Sequence, residues 1–376
     1  MKIVRSDLYR IPVSPWGEWI FLRLEDGDGH VGWGEASNSG NDASAVSEIE
    51  RQLGRLAGTK KDALALAHHL AAGAPADKPR RTAWSAIEHA LVELAARQRD
   101  ISVAHLLSGD EEGTPAEAMP VYANINRMCA DRTPEMVQAA AKAAVAGGLQ
   151  RLKFAPFDEV TPERLTRDGE GVAVAGLERL RALRDAVGPK IELMIDCHRR
   201  FTPDFTAFLA GHARDLGITW IEDPMPDFDP AVMECLRGES GARIAGGEAM
   251  LTYEDLEALT VTGAVDVLIA DVKFVGGVTA LDRICRMAGE HGVEFAPHNP
   301  SGPVSTAASV HVAAANPNAA VVEYAFGEVD WRADVCPQER VVDGAIAMAG
   351  PGYGVSILPD AAGAPIEGER PAMPLV

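Results

Sequence analysis

The stretch that decides the fold reads IELMIDCHRRFTPDFTAFLAGHARDLGITWIED, residues 191–223. An apolar run ends in Asp196, a segment with helical spacing of apolar residues follows, and a second apolar run ends in Glu222. Glu248 then follows Glu222 at the same interval of 26 residues that separates Glu222 from Asp196. Short apolar strands that alternate with amphipathic helices predict a parallel sheet, because parallel neighbours need a long crossover connection.

The same strand and helix unit accounts for the chain from Pro120 onward. Its candidate strands are Val121–Ile125, Arg151–Phe154, Ile191–Ile195, Thr219–Ile221, Arg243–Ala245, Val265–Ala270, Val293–Ala296 and Ala320–Val322. Eight parallel strands with helical crossovers close into a barrel, so we predict an α/β fold of the (β/α)-barrel type. The alternative is an open doubly wound sheet, which alternates strands and helices in the same way.

The chain before the barrel has a different pattern. Alternating apolar residues on both sides of the turn Asp26–Gly29 predict paired strands, and Ala83–Ala96 has the composition and spacing of a helix. We therefore assign residues 1–118 to an α+β lobe and residues 119–333 to the barrel. The Gly/Pro-rich segment 334–376 is predicted to fold back on the first lobe.

Charge and cysteine usage restrict the class of protein. The formal net charge is −20 with a pI near 4.9, and such a surface repels nucleic acid and anionic membranes. Five scattered cysteines without a C-x-x-C pair, and an N-terminus without an apolar signal segment, indicate a reducing, cytoplasmic location. The expected partner is therefore a small molecule.

Three of the predicted strands end in an acid, namely Asp196, Glu222 and Glu248. The carboxyl ends of barrel strands all open on one face, so these side chains should converge there. Converging carboxylates repel one another unless a cation neutralises them, and hard oxygen ligands suit Mg²⁺. The alternative is three unrelated acids that cap helices or form salt bridges.

The same position on the remaining strands also carries polar residues. Asp271 and His298 close two successive strands, and Glu323 closes the last. His298 lies in a proline-rich loop rather than on a helix face. An imidazole held by a carboxylate is an effective general base near neutral pH, so His298 with Asp271 is the candidate base.

At this point the chain resembles a known family, the mandelate racemase-like subgroup of the enolase superfamily. The residues that carry the resemblance are Lys153, Asp196, Glu222-Asp-Pro, Gly247-Glu248, Asp271 ahead of Gly276-Gly277, His298 and Glu323, with the helix Ala83–Ala96 and the segment Gly32–Ala36. The resemblance implies a (β/α)7β barrel, a modified TIM barrel, under an N-terminal α+β capping domain. It also implies Asp196, Glu222 and Glu248 as Mg²⁺ ligands and His298 with Asp271 as the base.

Two departures from the subgroup bear on the reaction. In the subgroup the second barrel strand often ends Lys-x-Lys, and the second lysine serves as a base on the opposite face of the substrate. This chain has Lys153-Phe154-Ala155 there, and the methyl group of Ala155 cannot take a proton. The third strand continues Asp196-Cys-His198, similar to the acid-sugar dehydratases, in which that histidine protonates the departing hydroxyl. Alternate residues of an extended strand point the same way, so His198 should face the same side as Asp196; the alternative is that His198 only lines the pocket or supports the metal ligands. Lys153 is expected to bind the substrate carboxylate or to tune the metal site, and Glu323 to hydrogen-bond the carboxylate as charge develops; the alternative for Lys153 is a structural salt bridge at the barrel mouth.

The substrate-binding candidates are Asn124, Lys273, Trp16 and Asn38. Because Lys273 lies two residues after Asp271, it is also either an alternative base or one half of a structural ion pair. We therefore expect an Mg²⁺-dependent lyase that dehydrates an aldonate or aldarate to a 2-keto-3-deoxy acid. The alternatives are a racemase, epimerase or cycloisomerase using the same intermediate, and a non-catalytic metabolite-binding barrel. The resemblance implies a homo-oligomer, a dimer or an octamer.

Overall fold

The computed structural model describes residues 2–14, 17–56, 61–109 and 114–362. Its strands are β1 (Ile3–Ser14), β2 (Gly17–Asp26), β3 (Val31–Glu35), β4 (Ala118–Asn124), β5 (Arg151–Phe154), β6 (Glu192–Asp196), β7 (Ile218–Glu222), β8 (Arg243–Gly246), β9 (Val267–Ala270), β10 (Glu294–Pro297), β11 (Val322–Ala325), β12 (Val341–Val342) and β13 (Ala345–Ala347). Its α-helices are α1 (Asp42–Leu56), α2 (Ala63–Ala72), α3 (Lys78–Arg97), α4 (Val103–Ser108), α5 (Pro134–Ala146), α6 (Pro162–Asp168), α7 (Val174–Val187), α8 (Thr206–Asp215), α9 (Pro230–Ser240), α10 (Tyr253–Val261), α11 (Val278–Glu290), α12 (Pro303–Ala315) and α13 (Arg332–Val335). Among these residues, no helix combines the length and apolarity needed to cross a membrane.

The N-terminal lobe contains β1–β3 and α1–α4. Its three strands form an antiparallel sheet in the order β1-β2-β3, and α3 packs directly on β3. The close approach depends on two glycines, because a Cβ at Gly34 would lie 1.8 Å from the carbonyl oxygen of Ala86 and one at Gly32 would lie 2.0 Å from that of Ala90. The helix is consequently buried along most of its length.

Strands β4–β11 form a parallel barrel. Each of β4–β9 pairs in parallel with the next strand, and β11 pairs in parallel with β4. The remaining gap closes at Phe295 of β10, whose N–H donates to Asn318 O and whose carbonyl accepts from Ala320 N–H. Helices follow the first seven strands, and only the four-residue α13 follows β11. The prediction of a (β/α)7β barrel is confirmed, and the alternative prediction of an open doubly wound sheet is wrong.

The last barrel strand differs in position from its prediction. The sequence favoured residues 320–322, whereas β11 spans residues 322–325 and pairs with β4 from Val322 opposite Val121. Residues 318–320 bond to Phe295 of β10 instead. The apolar run therefore bridges two neighbouring strands, and Glu323 lies inside β11 rather than after it.

Side-chain alternation along the strands explains why polar residues collect at one end of the barrel. The barrel interior is filled by Tyr122, Met194, Trp220, Ala245, Val267, Ile269, Ala296 and Val321. Because strand side chains repeat with a period of two, the next inward position lies two residues later. On six strands that position carries a polar residue, and these residues are Asn124, Asp196, Glu222, Asp271, His298 and Glu323.

The N-terminal lobe docks on the barrel through buried carboxylates at helix N-termini. Glu35 accepts hydrogen bonds from the N–H groups of Gly302 (2.7 Å) and Ser305 (2.8 Å) at the start of α12. Glu88 accepts from those of Val278 (2.6 Å) and Thr279 (2.9 Å) at the start of α11. Free N–H groups and the helix dipole both favour a carboxylate there, so the lobe holds a defined position over the barrel.

The described part of the C-terminal segment contacts both lobes. The hairpin β12–β13 adds to the N-terminal end of β4. Further along, Gly352 exchanges backbone hydrogen bonds with Ile101 and Val103, and the hydroxyl of Tyr353 donates to the carbonyl of His89. Residues 345–353 thus connect the base of the barrel to α3 and α4.

Candidate active site

The predicted metal ligands lie at the carboxyl ends of β6 and β7 and two residues beyond β8. Asp196, Glu248 and His198 each offer an atom within 4.8 Å of the others. Glu222 faces a different way, because its Oε1 lies 2.5 Å from Lys153 Nζ and its Oε2 accepts from Trp220 Nε1 at 3.1 Å. The structure therefore brings two of the three acids together with His198, while the third pairs with Lys153.

The electrostatics of this cluster favour a cation. Burial raises the pKa of Glu222 well above its usual value, and the charges of Asp196 and Glu248 add to that effect against the opposing charge of Lys153. Glu248 Oε2 is buried, lies 3.1 Å from His298 Nε2, and lacks an aligned hydrogen bond. A buried carboxylate oxygen without a hydrogen-bond donor, beside further carboxylates, fits a hard divalent ion such as Mg²⁺.

His298 and Asp271 form the expected pair across β10 and β9. His298 Nδ1 lies 2.8 Å from Asp271 Oδ2, and because a carboxylate only accepts, Nδ1 carries a proton. Nε2 then faces the cluster at Glu248. Burial lowers the pKa of His298, but Glu248, Glu323 and Asp271 outweigh it and raise the pKa to about 10. The pKa thus depends strongly on what neutralises Glu248.

Lys273, the alternative base, is held by the same aspartate. Its Nζ donates to Asp271 Oδ1 at 2.8 Å, to Asp271 Oδ2 at 2.9 Å and to Ser305 Oγ at 3.3 Å. Burial raises the pKa of Asp271, yet Lys273 and His298 outweigh burial and lower it to about 2. An ammonium with all three protons engaged keeps Asp271 ionised.

His198 reaches the cluster by a route that the sequence did not indicate. We expected it to continue the strand and point the same way as Asp196, but β6 ends at Asp196 and His198 has a left-handed backbone, φ 46°. That turn brings His198 Nε2 to 2.8 Å from Asp196 Oδ2. Burial lowers the pKa of His198, and Asp196 raises it by more, so the protonated ring is favoured.

A network of polar side chains lies below the cluster. Glu323 Oε1 accepts from Asn124 Nδ2 at 2.6 Å and lies 3.2 Å from Lys153 Nζ, and its Oε2 accepts from the N–H of Asn299 at 2.7 Å. Lys153 is fully buried, and the charges of Glu222 and Glu323 outweigh burial and raise its pKa. The network keeps Lys153 charged next to the predicted metal ligands.

The other predicted positions are less central. Asn38 joins the two lobes, since its Nδ2 donates to Pro300 O at 2.9 Å and its Oδ1 accepts from Arg127 at 2.9 Å. Trp16 lies outside the described residues. Ala155 is buried and presents only its methyl group as a side chain. Among the described residues, Lys153 is therefore the titratable side chain that the end of β5 supplies to the site.

Two residues near the cluster were missed by the sequence analysis. Asp223 follows Glu222 and is buried, and burial together with the charges of Glu248 and Asp196 raises its pKa to about 7. The sequence signal that could have identified Asp223 was its place directly after an acid that ends a strand. Lys78 begins α3 of the N-terminal lobe, and its Nζ lies 3.6 Å from the centre of the Phe274 ring. No spacing rule connects it to the barrel.

Comparison with known proteins agrees with this architecture. Residues 16–108 match the mandelate racemase / muconate lactonizing enzyme N-terminal domain, and residues 135–361 match the enolase C-terminal domain-like family. The chain is 29% identical to D-gluconate dehydratase of Thermoproteus tenax over 354 residues, 91% of this chain and 69% of that enzyme.

Two further relatives are similar over most of both chains. D-galactonate dehydratase of Ralstonia pickettii is 26% identical over 330 residues, 87% of this chain and 82% of that enzyme. A mandelate racemase/muconate lactonizing enzyme-like protein of Rubrobacter xylanophilus superposes with a TM-score of 0.81 at 27% identity, covering 98% of this chain and 99% of that chain. The chain belongs to the mandelate racemase/muconate lactonizing enzyme group of the enolase superfamily.

Proposed function

We propose that this protein is an Mg²⁺-dependent sugar-acid dehydratase, a lyase that removes the α-proton of a hydroxylated carboxylate and eliminates its 3-hydroxyl. The observation that carries the proposal is the convergence of two imidazoles on one carboxylate cluster. His198 Nε2 contacts Asp196 and His298 Nε2 contacts Glu248. The similarity to D-gluconate and D-galactonate dehydratases supports the same reaction class.

The metal would be held by Asp196 and Glu248, with Glu222 as the third ligand. When bound, Mg²⁺ would stabilise the negative charge that develops on the substrate carboxylate. Lys153 supplies a second fixed positive charge at the same end of the substrate. Preorganised charges of this kind make an α-proton acidic enough for a histidine to remove.

His298 is the proposed base. Its Nδ1 proton is fixed on Asp271, so Nε2 is the nitrogen that takes the proton from C2. Neutralisation of Glu248 by a cation removes the first of the charges that raise the pKa of His298, which favours the neutral ring. We assign the base to His298 rather than Lys273 because the Lys273 ammonium is fully engaged by Asp271 and Ser305.

His198 is the proposed acid. As electrons move from C2 to the C2–C3 bond, the C3–O bond breaks, and the hydroxyl leaves as water with a proton from His198. The resulting enol takes a proton at C3 and becomes a 2-keto-3-deoxy acid.

A racemase or epimerase is the competing function. It would need a second acid/base group on the opposite face of the substrate, where the subgroup often has a lysine and this chain has Ala155. A buried methyl group cannot exchange a proton. Elimination needs only the base and the acid already described.

The decisive experiment uses His198→Asn in D₂O with an acid sugar that the wild-type protein converts. We expect dehydration to fall about 10²- to 10⁴-fold, the usual contribution of a general acid, while exchange of the α-hydrogen for deuterium continues. His68→Asn, on the exposed face of α2, is the matched control and should keep both rates. A wild-type product with the mass of its substrate would contradict the proposal.

A further inference from the structure

The start of α3 is fixed to the mouth of the barrel. Arg81 donates to the carbonyl oxygens of Leu251 at 2.8 Å and Val275 at 3.4 Å. Leu251 lies in the loop after β8, which also carries Glu248, and Val275 lies in the loop after β9, which also carries Asp271. The first turn of α3 therefore holds a defined position relative to both active-site loops.

Lys78, the first residue of α3, extends toward the active site. Its Nζ lies 3.6 Å from the centre of the Phe274 ring, and that ring lies 6.2 Å, centre to centre, from the imidazole of His298. The side chain is half-buried. Lys78 thus places a positive charge at the rim of the site, on the side of the proposed base.

The Lys78 ammonium has an aromatic neighbour but no anionic partner within contact distance. Within residues 2–14, 17–56, 61–109 and 114–362, no hydrogen bond or ion pair reaches its Nζ. Burial lowers the pKa of Lys78, which means that the surroundings only partly compensate for lost hydration. Contact with the face of the Phe274 ring offsets only part of the free energy lost when the ammonium leaves water. A bound anion would offset more of it.

A second positive charge lies near Lys78. Arg199 has a left-handed backbone, φ 60°, and its half-exposed side chain lies 3.6 Å from Asp223 at the end of β7. Lys78 and Arg199 belong to different lobes, and the charge of Arg199 adds to burial in lowering the pKa of Lys78. Two neighbouring cations from different lobes are suited to bind one carboxylate.

We propose that Lys78 is a specificity-determining residue that binds a second carboxylate at the far end of the substrate, with Arg199 assisting. The inference rests on the proposed function and narrows the substrate to dicarboxylic acid sugars. The first carboxylate would lie at Lys153 and the predicted metal ligands, with C2 at His298. The rest of the carbon chain would then run outward, past Phe274, to Lys78.

The test compares acid sugars that differ only at C6, namely glucarate with gluconate and galactarate with galactonate. In Lys78→Met, kcat/KM for the dicarboxylates should fall about 10- to 100-fold more than for the monocarboxylates, the usual range for loss of a charged hydrogen bond. Lys78→Arg should restore the dicarboxylate preference. Lys142→Met, on the exposed face of α5, is the matched control and should leave every ratio unchanged.

Binding of the same pairs separates this inference from the proposed reaction. Calorimetry with Mg²⁺ on His298→Asn, with and without Lys78→Met, measures affinity without turnover. If the wild-type protein dehydrates no acid sugar, the proposed function fails, and the affinity ratio alone decides the role of Lys78. A fall of at least 10-fold in dicarboxylate preference supports the role. Equal losses for both ligands, no loss, or binding of neither ligand would overturn it.

Discussion

Two sets of buried carboxylates differ in what neutralises them. At the contact between the lobes, Glu35 and Glu88 accept hydrogen bonds from backbone N–H groups that begin two barrel helices. At the barrel mouth, Glu222, Glu248 and Asp271 face lysines, histidines and one another. The first set is satisfied by the fold itself. The second set is neutralised by titratable side chains of the site itself, so mutations of His298 and Glu248 should affect turnover and metal binding, whereas mutations in the first set should affect stability.

The largest expected effect is on turnover at the mouth. His298→Asn should lower kcat by about 10³- to 10⁴-fold, because no neighbouring group replaces the base, while the fold stays intact. Steady-state rates and circular dichroism measure the two properties. Lys273→Met is the informative comparison, since it leaves the Asp271 carboxylate without its buried ion pair and should destabilise the protein by about 3–5 kcal/mol. Full activity in His298→Asn would show that the base is misassigned.

The next effect is on metal binding. Glu248→Gln should weaken Mg²⁺ binding by at least about 100-fold, because even partners that only orient metal ligands contribute 10- to 100-fold. Burial raises the pKa of Glu248, but the charges of His298, Lys153 and His198 outweigh burial and lower it, so the ionised carboxylate stabilises the fold and the same variant should melt lower than the wild-type protein in excess chelator. Calorimetric titration and thermal melts measure these properties, with Glu254→Gln on the exposed start of α10 as control. Unchanged Mg²⁺ affinity would remove Glu248 from the site.

At the contact between the lobes, the effect should fall on stability. Glu88→Ala leaves the N–H groups of Val278 and Thr279 buried without an acceptor, and should lower the free energy of unfolding by about 3 kcal/mol. Denaturant titration measures this quantity. Glu290→Ala, at the exposed end of α11, should change it by less than about 0.5 kcal/mol. Equal values for the two variants would make the Glu88 cap irrelevant to stability.

The smallest effect is a dependence on pH. Burial raises the pKa of Glu88 from 4.5 to about 7, against the hydrogen bonds from Thr279 and Val278. The folded state then binds more protons than the unfolded chain between these values, so this group's contribution to stability falls as the pH rises from about 4.5 to about 7. The wild-type protein should lose about 2.5 kcal/mol relative to Glu88→Gln across that window. A pH-independent difference would mean that the helix N-terminus keeps Glu88 ionised.

The barrel and the polar series at its mouth were predictable because both follow from a period of two. Once a strand has an inward residue such as Met194 or Trp220, the acid two positions later must face the same interior. The 26-residue interval then places successive acids side by side. No information from distant parts of the chain is needed for that step.

Other features depend on contacts between segments that are distant in sequence. The orientation of Glu222 toward Lys153 depends on a neighbour two strands away, and the position of Lys78 depends on how Arg81 ties α3 to two barrel loops. The role of Glu88 had a visible signal, an acid on an otherwise apolar face of the predicted helix Ala83–Ala96. Its partner, the start of α11, could be identified only in the folded chain.

The left-handed turn at the end of β6 has a consequence for the evolution of this enzyme. His198 and Arg199 adopt φ values of 46° and 60°, a region where glycine and asparagine are tolerated better than most side chains. Histidine is itself among the residues enriched at positive φ, whereas β-branched residues are genuine outliers there. Random substitution of His198, scored by the yield of folded protein alone, should therefore accept glycine and asparagine and reject valine, isoleucine and threonine.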